Sequence, residues 1–213
     1  MRDRFHQDLD DLGDQVACLI NQVHDAVELA TGALLEADRV AAESVIANDL
    51  IIDALCRRIE DTAIELQLRQ QPVARDLRLL LVTQRVVADL ERSGDLAKNI
   101  AKQTRRRYPE RVVPLHLEQT IAQMAASAGS LLQKAGRIFS EQDLLLARQL
   151  GADDDQVDDL HRALLREVVA STGSGAVEAA VDLTLCGRYY ERIADHAVVI
   201  AHQVIYLSTG QHV

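Results

Sequence analysis

Leu9, Leu12, Val16, Leu19, Val23, Val27, Ala30 and Leu34 recur at steps of three and four residues. A seam held without a break from 9 to 34 fits an amphipathic helix, whose period of about 3.6 residues returns side chains to one face. A strand would alternate apolar and polar residues instead. The pattern predicts a helix over 3–35. Glu36-Ala37-Asp38 reads as a turn, with Asp38 placed to cap the next helix. That second helix is expected over 39–69, with Val45, Ile52, Leu55, Ile59 and Leu66 on one stripe. Gln70-Gln71-Pro72 ends it, and Pro72 suits the first turn of a third helix. The third runs to Arg107 with Leu77, Leu80, Val86, Leu90, Ala97 and Ile100 inward, and Tyr108-Pro109 stops it.

After a linker over 108–114 the pattern restarts. Helices are expected over 115–139, 143–170 and 176–208, with turns at Ser140–Asp143 and at the Gly/Ser-rich stretch 171–175. Helix two matches helix five at an offset of 105: Asp38, Asp49, Ile52, Asp53 and Leu55 meet Asp143, Asp154, Val157, Asp158 and Leu160. Helix three matches helix six at an offset of 100: Glu91, Arg92, Asp95, Ala97, Ile100 and Ala101 meet Glu191, Arg192, Asp195, Ala197, Ile200 and Ala201. Long helices joined by short turns are antiparallel neighbours. The expected fold is all-α, with six long antiparallel helices forming two tandem, similar three-helix bundles over 1–108 and 114–213. One continuous six-helix bundle is the competing arrangement. Only 3% aromatic residues, no Trp and three Pro suit packed aliphatic helices.

The formal charge of −10 is spread over both halves. Residues 1–107 carry 19 acidic and 15 basic side chains, net −4, and the rest carry 14 and 8, net −6. Neither half is a basic module, so nucleic acid is not an expected ligand. The run Arg105-Arg106-Arg107 suits a helix C-terminus, where the dipole favours cations. The first residues hold no apolar h-region, and no stretch approaches 18 apolar residues, so neither a secretory signal nor a membrane span is expected. Cys18, Cys56 and Cys186 match no zinc or redox spacing and read as buried free thiols in a reducing cytosol.

Each half carries two acidic pairs at i,i+4: Asp49/Asp53 and Glu91/Asp95, then Asp154/Asp158 and Glu191/Asp195. Residues four apart are neighbours on a helix, and like charges there repel. One such pair carries little weight when 33 of 213 residues are acidic. Four pairs at matched positions do carry weight. Helical geometry puts them on the flanks or outer face of the bundles, beside the apolar stripes. They could form a solvated face paired with Arg92, Arg192 and Lys98. They could hold hard or borderline cations through carboxylate oxygens. A buried di-iron centre would need Glu-x-x-His pairs, and the chain has only Asp3-x-x-His6 and Asp158-x-x-His161. No P-loop, nucleophile elbow or Ser-His-Asp grouping is present, so no catalytic or cofactor-binding residue is assigned.

Leu90-Glu91-Arg92-Ser93-Gly94-Asp95-Leu96-Ala97-Lys98-Asn99-Ile100-Ala101 and Glu191-Arg192-Ile193-Ala194-Asp195-His196-Ala197 resemble the repeated signature of the PhoU family of phosphate-signalling regulators. Gln71–Arg78 is similar to that family's entry to its third helix. The resemblance implies two similar three-helix bundles. It also implies metal ligands at Asp49, Asp53, Glu91, Asp95, Asp154, Asp158, Glu191 and Asp195, holding a multinuclear cluster of iron, zinc or manganese, with magnesium as a further option. Ser93 and Leu96 depart from the signature, and Val199 stands where it has Asn. His196 is kept only in the second copy, so the two patches are expected to differ there. The role implied is that of a non-enzymatic cytoplasmic adaptor, a homodimer. It would couple the ATPase subunit of a phosphate ABC transporter to a sensor histidine kinase and silence starvation signalling when phosphate is plentiful. The alternatives are a metal-dependent phosphate-handling enzyme and a purely structural helical protein.

Overall fold

The computed structural model describes residues 2–170 and 176–211. The expected turn at 171–175 lies outside the described residues. Among the described residues six α-helices follow one another: α1 Arg2–Glu36, α2 Arg39–Gln70, α3 Ala74–Arg107, α4 Glu118–Glu141, α5 Leu144–Ala170 and α6 Ala176–Thr209. A 3₁₀ turn, Leu115–Leu117, precedes α4. It occupies the first residues of the expected fourth helix, because Pro114 holds the chain extended just before it.

The first hairpin of each half turns by the same local chemistry. Ala37 (φ 56°) and Gln142 (φ 53°) each take one left-handed step out of the preceding helix. An aspartate follows and caps the next helix. Asp38 Oδ1 accepts from the backbone of Val40 and Ala41, and Asp143 Oδ1 accepts from that of Leu145 and Leu146. Both caps satisfy backbone N–H groups that a helix start leaves without partners. The α2–α3 link departs from expectation. Gln71 is left-handed and Val73 extended, so Pro72 sits in the connection and not in the first turn of α3.

All eight seam residues of α1 are buried, as are Val45, Ile52, Leu55, Ile59 and Leu66 of α2. Leu80, Val86, Leu90, Ala97 and Ile100 face inward on α3, while Leu77 is only half-buried. Each fully buried Leu, Ile or Val contributes roughly 1.5–3 kcal/mol against exposure. Within each half the three helices pack on one another. Between halves α1 lies on α4 and α3 on α6, so the two bundles share one continuous core. Tyr190 of α6 is fully buried, and its hydroxyl lies 2.9 Å from Thr31 Oγ1 of α1. Thr31 donates to Val27 O, which leaves Tyr190 to donate to Thr31. Cys56 and Cys186 are buried free thiols as expected; Cys18 is exposed, because it lies off the apolar seam of α1.

Candidate functional site

α2 and α3 run antiparallel, so the first acidic pair of one helix meets the second pair of the other. Lys98 Nζ lies 2.5 Å from Asp49 Oδ2 and 2.6 Å from Asp95 Oδ1, which sets Asp49 beside Asp95. Burial, followed by the Asp53, Glu60 and Asp95 carboxylates, holds the Glu91 carboxyl above its ordinary range; Arg57 opposes this. Asp53 and Glu91 are therefore electrostatic neighbours one turn along. The expected placement on a flank fails for Asp49, whose side chain is only 6% exposed. The cause is Gly94. A Cβ there would stand 3.3 Å from Ile52 Cγ2 and 4.0 Å from Asp49 Oδ1. Lacking one, α3 closes on α2 and Lys98 folds over the carboxylate. Asp53 is half-buried, and Glu91 and Asp95 are exposed.

The second patch repeats this layout between α5 and α6. Asp154 is pushed up to about 6 by burial and then by the carboxylates of Asp195, Asp158 and Asp155. Arg188 lies against Glu191 Oε2 and 4.0 Å from Asp195 Oδ2. His161 is held below its ordinary value by burial and then by Arg188, with Asp158 opposing. Asp154, Asp158 and Glu191 are half-buried and Asp195 is exposed. Asp154, Asp158 and His161 share one face of α5, and Gly187, Glu191 and Asp195 share one face of α6. The rungs of the second patch are thus Asp154 with Asp195, Asp158 with Glu191, and His161 with the turn at Gly187 and Arg188.

The eight predicted residues are gathered four and four. In neither patch do three ligand atoms approach within 4.8 Å of one another; among the described residues His24, Asp25 and Glu28 of α1 do. The His24 ring is oriented by Gln133 of α4, 3.0 Å from Nε2, while Asp25 and Glu28 are exposed. The spacing His-Asp-x-x-Glu was the available signal for that trio.

His196 does not distinguish the patches. Its Nδ1 lies 3.3 Å from Asp89 Oδ1 of α3, in the seam between halves, where Arg92 also bonds Asp89 at 3.1 Å. Leu96 is buried seven residues from Asp89, on the same face of α3. The differences lie elsewhere. Lys98 of the first patch matches Val198, Arg188 of the second matches Ala88, and His161 over Gly187 matches Cys56 and Val87. The Cys56 thiol is pushed up to about 12 by burial and then by Glu91, Asp53 and Glu60, so it stays protonated. The arginine run ends α3 as expected and does more: Arg106 bonds the buried Asp182 of α6, and Arg107 bonds Glu178 at 2.9 Å.

Comparison with known proteins fits this duplicated layout. The PhoU domain family profile matches residues 17–104 and again 121–204. A phosphate-specific transport system accessory protein, PhoU homolog 2 of Mycobacterium bovis, is 40% identical over 210 residues, covering 99% of each chain. The crystal structure of PhoU from Pseudomonas aeruginosa superposes with a TM-score of 0.88 at 29% identity, over 97% of this chain and 100% of that one. That of the phosphate transport system regulatory protein PhoU from Streptococcus pneumoniae gives 0.90 at 25% identity, over 98% and 99%. With both halves matched and the whole length aligned, the chain belongs to the PhoU domain family.

Proposed function

We propose that this chain regulates phosphate uptake and phosphate-starvation signalling in the cytoplasm, acting by binding and not by turnover. It would contact the ATPase subunit of a phosphate ABC transporter and a sensor histidine kinase, and hold the kinase output down when phosphate is plentiful. The observation that carries this is the end-to-end match, in both halves, to relatives named as phosphate-transport accessory or regulatory proteins. No helix among the described residues is long and apolar enough to cross a membrane. Surface chemistry supports a protein partner. Leu29 and Ile51 are exposed and line a groove of about 250 Å³ between α1 and α2, beside Asp25 and Asp49. Self-association as a dimer belongs to the same proposal. Tagged protein should retain the transporter ATPase subunit and the kinase from phosphate-rich cells. Retention of neither, in rich or starved cells, refutes the adaptor role.

The same reading includes a metal on the carboxylate patches, as the resemblance of the two repeated motifs implies. The donors fit at the second patch. Asp154 Oδ1 and His161 Nε2 are buried without a hydrogen-bond partner. Asp154, Asp158, Glu191 and Asp195 would hold the metal, and the metal would tie α5 to α6 by neutralising their carboxylates. The first patch fits poorly, because the Lys98 ammonium already bridges Asp49 and Asp95.

A further inference from the structure

We infer that the two patches differ in kind: Lys98 is the resident cation of the first, and metal binding is confined to the second, where His161 supplies a nitrogen ligand. This rests on the metal-binding reading above and deepens it. Lys98 sits within 2.6 Å of one oxygen from each helix, and its side chain is only 21% exposed. A metal ion entering there must expel a bonded ammonium from a partly buried site. The second patch has Val198 at that position, so among the described residues no cation bridges Asp154 to Asp195 across the two helices; Arg188 pairs only with Glu191 and, at 4.0 Å, Asp195 on its own helix.

The nitrogen ligand comes from a paired change. Where the first half sets Cys56 opposite Val87, the second sets His161 opposite Gly187. The ring and Leu164 together fill the space a side chain at 187 would take: a Cβ there would stand 2.6 Å from Leu164 Cδ2, 3.0 Å from His161 Cδ2 and 3.5 Å from Nε2. This lays Nε2 along the face of α6 that carries Glu191 and Asp195, one turn beyond the carboxylates, buried and without a partner. Asp158 and His161 stand at i,i+3, a spacing that lets carboxylate and imidazole serve one metal from one helix. Arg188 covers Glu191, but its side chain is 50% exposed and can swing into solvent when a metal arrives. A nitrogen donor among carboxylates favours a first-row transition dication over magnesium, which prefers oxygen alone.

The test is titration of chelator-stripped protein with Co²⁺, followed by calorimetry and by the visible ligand-field spectrum. Wild-type protein should bind. Asp154→Asn should abolish binding. His161→Gln should weaken it by more than about 100-fold, beyond the roughly 10–100-fold that loss of an outer-shell partner costs, and should shift the ligand-field band. Asp53→Asn and Glu91→Gln in the first patch should leave affinity unchanged. No binding to wild-type protein overturns both the metal reading and this inference. Loss of binding in the first-patch variants, or in His24→Ala, with Asp154→Asn intact overturns this inference alone. An unchanged spectrum and affinity in folded His161→Gln removes the nitrogen ligand.

Discussion

Replacing Lys98 with Met isolates what the internal cation does. Methionine keeps most of the aliphatic stem, so the change removes charge more than packing. Two ion pairs are lost, and they are unequal. Asp49 is 6% exposed and Asp95 is 54% exposed. Stripping the partner from a buried carboxylate costs about 3–5 kcal/mol when both groups are deeply buried. The partial exposure of Lys98 reduces this to about 2–3 kcal/mol, since water can reach the abandoned site. The exposed Asp95 pair adds less than about 1 kcal/mol. At about 2–4 °C per kcal/mol for a domain of this size, Tm should fall by about 5–10 °C. Double-mutant cycles by urea denaturation should give a coupling of about 2 kcal/mol between Lys98→Met and Asp49→Asn, and less than about 1 kcal/mol with Asp95→Asn. A loss within about 0.5 kcal/mol, typical of an inert surface change, refutes the assignment. So does stronger coupling to Asp95 than to Asp49.

Asp154→Asn should stabilise metal-free protein, with a definite pH profile. The folded carboxyl titrates at about 6, against about 3.9 for a free aspartate, so the native state holds the proton more tightly and loses stability as pH rises through that window. Discounted for a half-exposed group, the gain is about 1 kcal/mol at pH 7.5 and vanishes near pH 4, as urea midpoints across that range would show. Gly187→Ala should destabilise by about 1 kcal/mol, because a Cβ 2.6 Å from Leu164 Cδ2 outweighs the better helix propensity. Gly151→Ala, with nothing within 4 Å, should stabilise by up to about 1 kcal/mol in the same assay. Asp38→Ala and Asp143→Ala should each cost about 1 kcal/mol, read from urea midpoints, since each removes an equivalent cap.

The helices, the duplication and the family signature were legible because each is carried by local spacing. Val16, Ile59 and Ile200 are fully buried where the period puts them. Asp38 and Asp143 cap where a turn followed by an apolar run asks for it. The gathering of eight carboxylates into two groups of four followed from antiparallel pairing. What spacing could not reveal depends on the distance and facing between helices. Asp49 is buried because Gly94 lets α3 close on α2, a contact 45 residues away in sequence. His196 serves the seam with Asp89 because α6 turns that flank toward α3, and only the packing of the two halves fixes that. Lys98 was visible as a neighbour of Asp95, but its reach across to Asp49 was not.

The most direct measurement of the account is made in cells lacking this chain, carrying a reporter of phosphate starvation and grown with ample phosphate. Reporter output should be high without the chain and fall to the repressed level when the wild-type chain is restored. Output that stays low without it would contradict a role in silencing the starvation response.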